Sequence, residues 1–529
     1  MRNAISFFAI LCAGVPLAVP AMAAEDDAKC AALAAKTLTN VTIQKADAVK
    51  AGSYQPAEGP AQANLPAFCR IRATSKPTPK SNIQFEVWLP AEGWSGRLEM
   101  VGNHGNSAAI YFGEMATLIR AGSVAVGTDT GHTGNGEDYT FGEGNDDVIF
   151  DWVNRSMHES IVAAKSMVTS YYGKAQQYSY FLGCSTGGHQ ALTEAVRHPE
   201  DFDGILSGAA ANNRTNLNLT YLARFLATHE AGNNTKMFLS HADLERVDHA
   251  VLEQCDAIDG VRDGVIANPK ACKFDLTSLS CSKNKSGSEC LDDKQIAAVQ
   301  SMYNGTKRRD NGEVIYPGYP VGSEAVVGTK QGWAAYFFDG TDAQLPKRGG
   351  YFRKWVFNDP NWNWWNFDWA KDVDFARKRM APLTDMTDTD MAAFSKHGGK
   401  LIMYAGLVDP VVSAYDTTAY YENLTKTNAN AANFSRFFQV PGQGHCGGGP
   451  GATNLTFNMS ADADHDMTVA LHTWVEKGKA PERIVGTKYK EEGKPASGVA
   501  MTRPVCAYPK VQTYSGKGDT NDAANFQCR

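Results

Sequence analysis

The sequence predicts an α/β fold, a largely parallel sheet between layers of helix, interrupted by one inserted domain. Three observations lead there. Short β-prone runs alternate with helical patterns between Leu98 and Leu206, and such alternation implies parallel strands joined by crossover helices. That rhythm stops near Asn212, stays lost to about Thr387, and resumes at Lys400. Within the first stretch, the aromatic run 178–182 enters a cluster of small residues. It leaves as an amphipathic helix pattern carrying Ala191, Leu192, Ala195 and Val196 on one side.

The chain opens with Arg2, an apolar run from Ile5 to Val19 and the small-x-small site Ala21-Met22-Ala23. This reads as a secretory signal over residues 1–23, with a mature chain from Ala24. The competing reading, an N-terminal membrane anchor, needs a longer apolar run. Cys12 lies in this segment without the small residues that precede a lipidated cysteine. No later run is long and apolar enough to span a bilayer. Of 11 cysteines, those after Cys12 are even in number, which argues for disulfides in a secreted or periplasmic protein. Proximity in sequence suggests Cys30–Cys69, Cys255–Cys272, Cys281–Cys290 and Cys506–Cys528. Cys184 and Cys446 are left over. If they pair, their Cα atoms stand about 5.5–6 Å apart, and Ser185 and His445, which flank them, become neighbours.

Residues 24–66 are Ala-rich with few aromatics and read as a partly helical lead-in. Residues 68–73 and 83–90 alternate apolar with polar as half-buried strands do, broken by Ser81-Asn82. Trp94-Ser95-Gly96-Arg97 is a turn and 98–101 a third strand. Residues 123–129 form a buried strand ending in Asp129-Thr130-Gly131-His132. A helix is expected over 152–172, with Ile161, Ala164, Met167 and Val168 inward. After the central strand and helix, Pro199 to Gly204 turns into a strand at Ile205-Leu206. Residues 212–387 hold helical pieces, two short Cys loops and a dense aromatic segment; five of the ten Trp lie between Trp355 and Trp369. This is read as an inserted lid domain, its Trp cluster serving either as the lid's own core or as an aromatic wall over a flat ligand. The catalytic domain is then discontinuous, 24–211 and 388–529. It resumes with strands at 400–406 and 434–440 and a helix at 467–477. A strand-like tail, 481–529, ends the chain.

Gly183-x-Ser185-x-Gly187 matches the nucleophile elbow of α/β-hydrolases. A strand turning abruptly into a helix forces one residue into a strained conformation, and the flanking glycines let neighbouring backbone pass. The serine hydroxyl then stands at the positive end of a helix, where the amide of Thr186 helps bind an oxyanion. The loop Gly102-Asn103-His104-Gly105-Asn106 follows an early strand, the usual source of a second oxyanion amide, assigned here to Gly105.

A serine needs a base and the base an orienting carboxylate, in the chain order Ser, acid, His. Asp409 follows the strand at 400–406, and His445 follows the strand at 434–440. Asp416 is the rival acid; His104, His132 and His465 are rival bases. The chemistry this set performs is attack of Ser185 on an ester carbonyl, followed by hydrolysis of the acyl-enzyme. A second site is read in the lid. Asp256, Asp259 and Asp263 fall within eight residues among glycines, the hard oxygen set that suits Ca²⁺, although the spacing is not that of an EF-hand.

The chain resembles the tannase and feruloyl esterase family of secreted serine esterases. The likeness rests on Cys69-Arg70-Ile71, residues 83–90, Trp94 to Arg97, Asp129-Thr130-Gly131-His132, Gly183-Cys184-Ser185-Thr186-Gly187-Gly188, Asp201 to Ile205, Val356 to Pro360, and Pro441-Gly442-Gln443-Gly444-His445-Cys446. It implies an α/β-hydrolase core with an inserted lid, a Ser185–Asp409–His445 triad and a Cys184–Cys446 bridge beside it. It further implies a structural calcium held by the side chains of Asp256, Asp259 and Asp263 with the carbonyls of Val261 and Val265. Aromatic carboxylic esters are the implied substrates. Thr186 after the nucleophile matches the feruloyl esterase-like members.

The resulting expectation is a secreted serine esterase on phenolic esters, feruloyl or galloyl. The runner-up keeps the chemistry on a mono(2-hydroxyethyl) terephthalate-type half-ester, with Arg353 a candidate for its carboxylate. From a different class comes a calcium-dependent carbohydrate-binding or adhesion protein with an inert elbow, and from a third a thiol oxidoreductase using Cys184. The partner is a small aromatic ester. The net charge of −6 gives no reason to expect nucleic acid or an anionic membrane. Oligomeric state is not encoded legibly.

Overall fold

The computed structural model describes residues 27–529 except 137, 284–288, 327–330, 339–344 and 460. The expected signal segment, 1–23, lies outside the described residues.

Nine strands build one sheet: β1 (Val41–Val49), β2 (Phe68–Ser75), β3 (Ile83–Pro90), β4 (Arg97–Val101), β5 (Val124–Thr128), β6 (Tyr178–Cys184), β7 (Gly204–Gly208), β8 (Lys400–Gly406) and β9 (Ser435–Val440). Their order is β1-β2-β3-β5-β4-β6-β7-β8-β9. The pairings from β1 to β5 are antiparallel, and all those from β5 to β9 are parallel. Parallel strands covered on both faces cannot alternate with polar residues. Accordingly every residue of β5 and β7 is buried.

Helices α1 (Phe112–Arg120), α2 (Ser156–Tyr172), α3 (Thr186–Arg197), α4 (Arg214–Thr228), α5 (His241–Cys255), α6 (Asp293–Asn304), α7 (Asp372–Thr384), α8 (Ala414–Thr427) and α9 (Met467–Lys477) follow. One face of the sheet is covered by Met157, Ile161 and Met167 of α2, Leu192 of α3 and Leu424 of α8. The other is covered by Leu118 and Ile119 of α1 with Leu471 and Trp474 of α9. The helix expected from residue 152 begins at Ser156. Residues Asp151–Arg155 form a π turn instead, and the Trp152 carbonyl accepts from Gln190 Nε2 at 2.8 Å.

The lead-in is partly helical, as expected: residues 27–32 are α-helical and Leu33–Ala35 continues them as a short 3₁₀ turn. The remainder is strand: 41–49 is the edge strand of the main sheet, and Gly52–Tyr54 pairs with Gln62–Leu65. Its alanines hide the strand, because no residue of β1 is fully buried. What makes it a strand is a distant partner, β2, with Cys30–Cys69 pinning the approach.

Among the described residues, nothing between β7 and β8 joins the sheet. That long insertion has its own core around Leu244, Val247, Val299 and Trp333. A second cluster joins Tyr351, Trp355, Trp364 and Trp369 to Trp152 and Tyr139 of the hydrolase core. The aromatic segment therefore packs within the insertion and forms its seam with the rest of the chain. The tail forms an antiparallel pair, Arg483–Tyr489 with Val499–Cys506, and reaches back to the insertion through Arg503, whose guanidinium sits 2.6 Å from Asp263.

Candidate active site

β6 ends at Cys184, and Ser185 takes φ 63°, ψ −119° before α3 begins at Thr186. A non-glycine residue pays to hold a positive φ, and this turn holds it there by hydrogen bonds on both sides. Ser185 N donates to Gly208 O at 2.9 Å, and its carbonyl accepts from His189 N at 3.0 Å. Glycine is required twice by closeness. A Cβ at Gly183 would stand 2.4 Å from the Gly187 backbone, and one at Gly188 would stand 2.2 Å from Gly208 O. Thus the strand, the elbow and α3 fit together only without side chains at these positions.

The candidate base and acid come from the far half of the sheet. Asp409 follows β8 and is 1% exposed. Its Oδ1 accepts from Val411 N at 2.7 Å and Val412 N at 3.0 Å. Its Oδ2 lies 2.8 Å from His445 Nδ1. With the carboxylate on Nδ1, that nitrogen carries the proton and Nε2 is left as the base. His445 follows β9 on a glycine-rich loop, and the next residue, Cys446, is held at φ 64°. Cys184 and Cys446 are bonded, Cα to Cα 5.9 Å across 262 residues of chain. That bridge ties the residue before Ser185 to the residue after His445. Ser185 is 4% exposed, so the site lies under cover.

Thr186 opens α3, where an N–H has no partner one turn back. Its Oγ1 donates to Gly105 O at 2.9 Å, and Gly187 N donates to Asn103 O at 2.7 Å. Both oxyanion candidates, Thr186 and Gly105, are thus in contact across the elbow.

The rivals fall elsewhere. Asp416 is in α8, where Asn213 Nδ2 donates to it at 3.0 Å and burial pushes its carboxyl up to about 7. His132 stacks on Phe141 at 3.8 Å, and burial lowers its imidazole to about 4. His104 pairs with Glu114 at 3.1 Å and His465 with Asp462 at 2.6 Å. Arg353 donates to the Trp362 carbonyl at 3.1 Å and lies over the Trp364 ring. A cavity of about 620 Å³ is lined by Ser107, Ile110, Asp129 and His132 and by no member of the candidate triad.

Three supporting residues carried no signal in the sequence. Arg214, buried over the Trp152 ring, donates to Thr186 Oγ1 at 3.0 Å. Tyr221 OH donates to Val411 O at 2.7 Å and so braces the Asp409 turn. Gln331 accepts from His445 N at 3.3 Å. All three come from the insertion, 28, 190 and 114 residues along the chain from the groups they hold.

In the lid loop, Asp256 accepts from the backbone N–H of Asp263, Gly264 and Val265 at 3.1–3.3 Å. Asp259 accepts from Val261 N at 3.1 Å; burial, followed by the charges of Asp263 and Asp256, raises its carboxyl to about 6 despite that bond. Asp263 Oδ1 is buried without a donor. Three carboxylates against the single charge of Arg503, one oxygen orphaned, are a donor set that fits a hard divalent cation. Among the described residues, five disulfides join Cys30–Cys69, Cys184–Cys446, Cys255–Cys272, Cys281–Cys290 and Cys506–Cys528.

Residues 69–529 match the family model described as tannase and feruloyl esterase. An uncharacterized esterase of Xanthomonas campestris is 34% identical, over 96% of this chain and 92% of its own length. A probable feruloyl esterase B-1 of Aspergillus flavus is 34% identical, over 87% of this chain and 86% of its own. Among solved structures, feruloyl esterase B of Aspergillus oryzae superposes with a TM-score of 0.84 at 29% identity, covering 95% of this chain and 100% of the other.

Proposed function

Because this chain belongs to the tannase and feruloyl esterase family and is thereby a carboxylic ester hydrolase, we propose that it is a secreted serine esterase acting on aromatic esters of phenolic acids, feruloyl or galloyl, through an acyl-enzyme. The observation that carries this reading is one constellation: Ser185 strained at the elbow, a disulfide from its neighbour to the neighbour of His445, and Asp409 on His445 Nδ1 at 2.8 Å.

The chemistry follows from those positions. His445 Nε2 takes the Ser185 proton as the oxygen attacks the ester carbonyl. Asp409 fixes the tautomer and stabilises the imidazolium that forms. The amides of Thr186 and Gly105 bear the negative charge of the tetrahedral intermediate. His445 then hands its proton to the departing alcohol, and water, activated by the same base, releases the acid. The covered serine and the aromatic seam of Trp152, Trp355 and Tyr139 suit a flat acyl group. Five disulfides suit an oxidising compartment, and no described helix is long and apolar enough to cross a membrane.

Calcium belongs to the same proposal. Asp256, Asp259 and Asp263, with the carbonyls of Val261 and Val265, would hold it, and its charge would offset the crowded carboxylates and lock the insertion to Arg503 of the tail.

The test is a side-by-side assay of methyl ferulate, methyl gallate and the mono(2-hydroxyethyl) terephthalate half-ester with the wild type and Ser185→Ala. Turnover of a phenolic ester that disappears in the variant supports the reading. Preference for the half-ester moves the substrate class. No turnover, together with failure of a fluorophosphonate to label Ser185, leaves the adhesion-protein reading standing.

A further inference from the structure

The helix that begins at the nucleophile ends in a second group of side chains that ester hydrolysis does not use. α3 closes at Arg197, about 18 Å along its axis from the elbow. His198 follows, its N–H returning to the Glu194 carbonyl. The His198 ring stacks on that of His158 in α2, centroids 3.9 Å apart and planes 14° apart. His158 Nδ1 lies 2.6 Å from Asp201 Oδ2 on the loop into β7. One ligand atom from each of these three lies within 4.8 Å of the others, the only such trio among the described residues.

A fourth residue points to an ion. Glu194 sits one turn before His198, is 1% exposed, and neither of its carboxylate oxygens meets an N–H or hydroxyl donor. Its carboxyl is hydrogen-bonded to that of Asp201, so one shared proton joins the two buried groups. A divalent cation can take the place of that proton and be held by both carboxylates. Lys165 does not fill that place. It approaches Asp201 Oδ1 only to 3.8 Å and donates to the Glu200 carbonyl instead.

We infer that His158, His198 and Asp201, with Glu194 as the inner oxygen, form a binding site for a late first-row divalent cation, Zn²⁺ foremost. Two imidazoles with carboxylates suit Zn²⁺ and not Ca²⁺, which wants oxygen alone. Two carboxylates balance its charge. The site is therefore chemically distinct from the all-oxygen loop at Asp256. Tetrahedral zinc at about 2.0–2.1 Å from each ligand sets donor atoms about 3.4 Å apart. Parallel stacked rings aim their lone pairs side by side, so they cannot meet at one ion. Binding unstacks the pair: the His198 ring turns about its side-chain bonds, which its partial exposure allows. The ion then ties α2, the end of α3 and the entry to β7 together. It braces the helix whose first turn holds Ser185.

The test uses the full chain, calcium-loaded, titrated first with Co²⁺ and then with Zn²⁺. One equivalent of Co²⁺ should give the visible absorption of a nitrogen-ligated, low-coordinate centre, and Zn²⁺ should displace it and raise the unfolding temperature to a plateau. The pair His158→Ala/His198→Ala should weaken Zn²⁺ binding at least 100-fold and keep the wild-type esterase rate in metal-free buffer. His198→Gln, which preserves side-chain bulk, should lose the Co²⁺ spectrum while folding normally. A wild type without that spectrum would overturn the inference, as would a histidine variant that binds Zn²⁺ as tightly as the parent.

Discussion

Removing the Cys184–Cys446 bridge alone, as Cys184→Ala/Cys446→Ala, separates what it does for stability from what it does for catalysis. The bridge closes 262 residues. In the chain-entropy model a loop of that length stabilises the fold by about 5–6 kcal/mol at 25 °C. Against that stands Cys446, held at φ 64°; releasing a non-glycine residue from the left-handed region returns about 1–2 kcal/mol. A net loss of about 4 kcal/mol is expected. The catalytic effect is more selective. Ser185 keeps its own supports, Gly208 O and His189 N. Asp409 keeps Val411 N and Val412 N. Of the three, His445 leans most on the bridge, its other anchors being Asp409 Oδ2 on Nδ1 and Gln331 Oε1 on its backbone N–H. The rate of acylation should therefore fall about 100-fold, because misplacement by about 1 Å costs that much, with KM little changed. Stopped-flow acylation with methyl ferulate reads the first effect, and denaturant unfolding under non-reducing conditions reads the second. A variant within threefold of wild-type acylation would refute the claim that the bridge positions the base, whatever its stability.

Other outcomes follow from the same geometry. Ser185→Ala should lower turnover by about 10⁴-fold or more with folding retained, and Asp409→Asn by about 10³–10⁴-fold, whereas Asp416→Asn should leave kcat within about threefold; a reversal in the two acids by steady-state assay would exchange their roles. Asp416 titrates near 7 in the folded protein against 3.8 in the unfolded chain. The native state thus binds the extra proton between those values, and stability falls as pH rises from about 4 to 7. Asp416→Asn should flatten that fall by up to a few kcal/mol, read from urea midpoints at pH 4.5 and 8. Gly188→Ala would push a Cβ to 2.2 Å from Gly208 O, prying α3 from β7, and circular dichroism should find it unfolded or several kcal/mol less stable. EGTA should lower the melting temperature, Ca²⁺ should restore it, and Asp256→Asn should abolish both effects.

Glycine spacing and the order of chemistry-bearing residues made the hydrolase core legible in one dimension. Gly183-x-Ser185-x-Gly187 can be read because the elbow is local: strand, turn and helix are contiguous, and their steric demands fall on neighbouring residues. The strands at 83–90 and 400–406 can be read locally too: the first, antiparallel to both neighbours, alternates apolar with polar residues, and the second, parallel to both and buried, is apolar. β1 could not, because an edge strand of modest burial is defined by its partner and not by its own side chains.

The sequence by itself determined the covalent and local terms: which residue sits at the elbow, which acid and imidazole follow which strand, and how many thiols are available to pair. Only the tertiary structure decided that Tyr221, Arg214 and Gln331 of the insertion brace the acid, the oxyanion turn and the base. It alone set Arg503 of the tail on the lid loop, and gathered His158, His198 and Asp201 at the far end of the nucleophile helix. The reason is distance along the chain. A hydrogen bond or ligand cluster between elements leaves no periodicity in either element, so it exists as a pattern only once the sheet has been assembled.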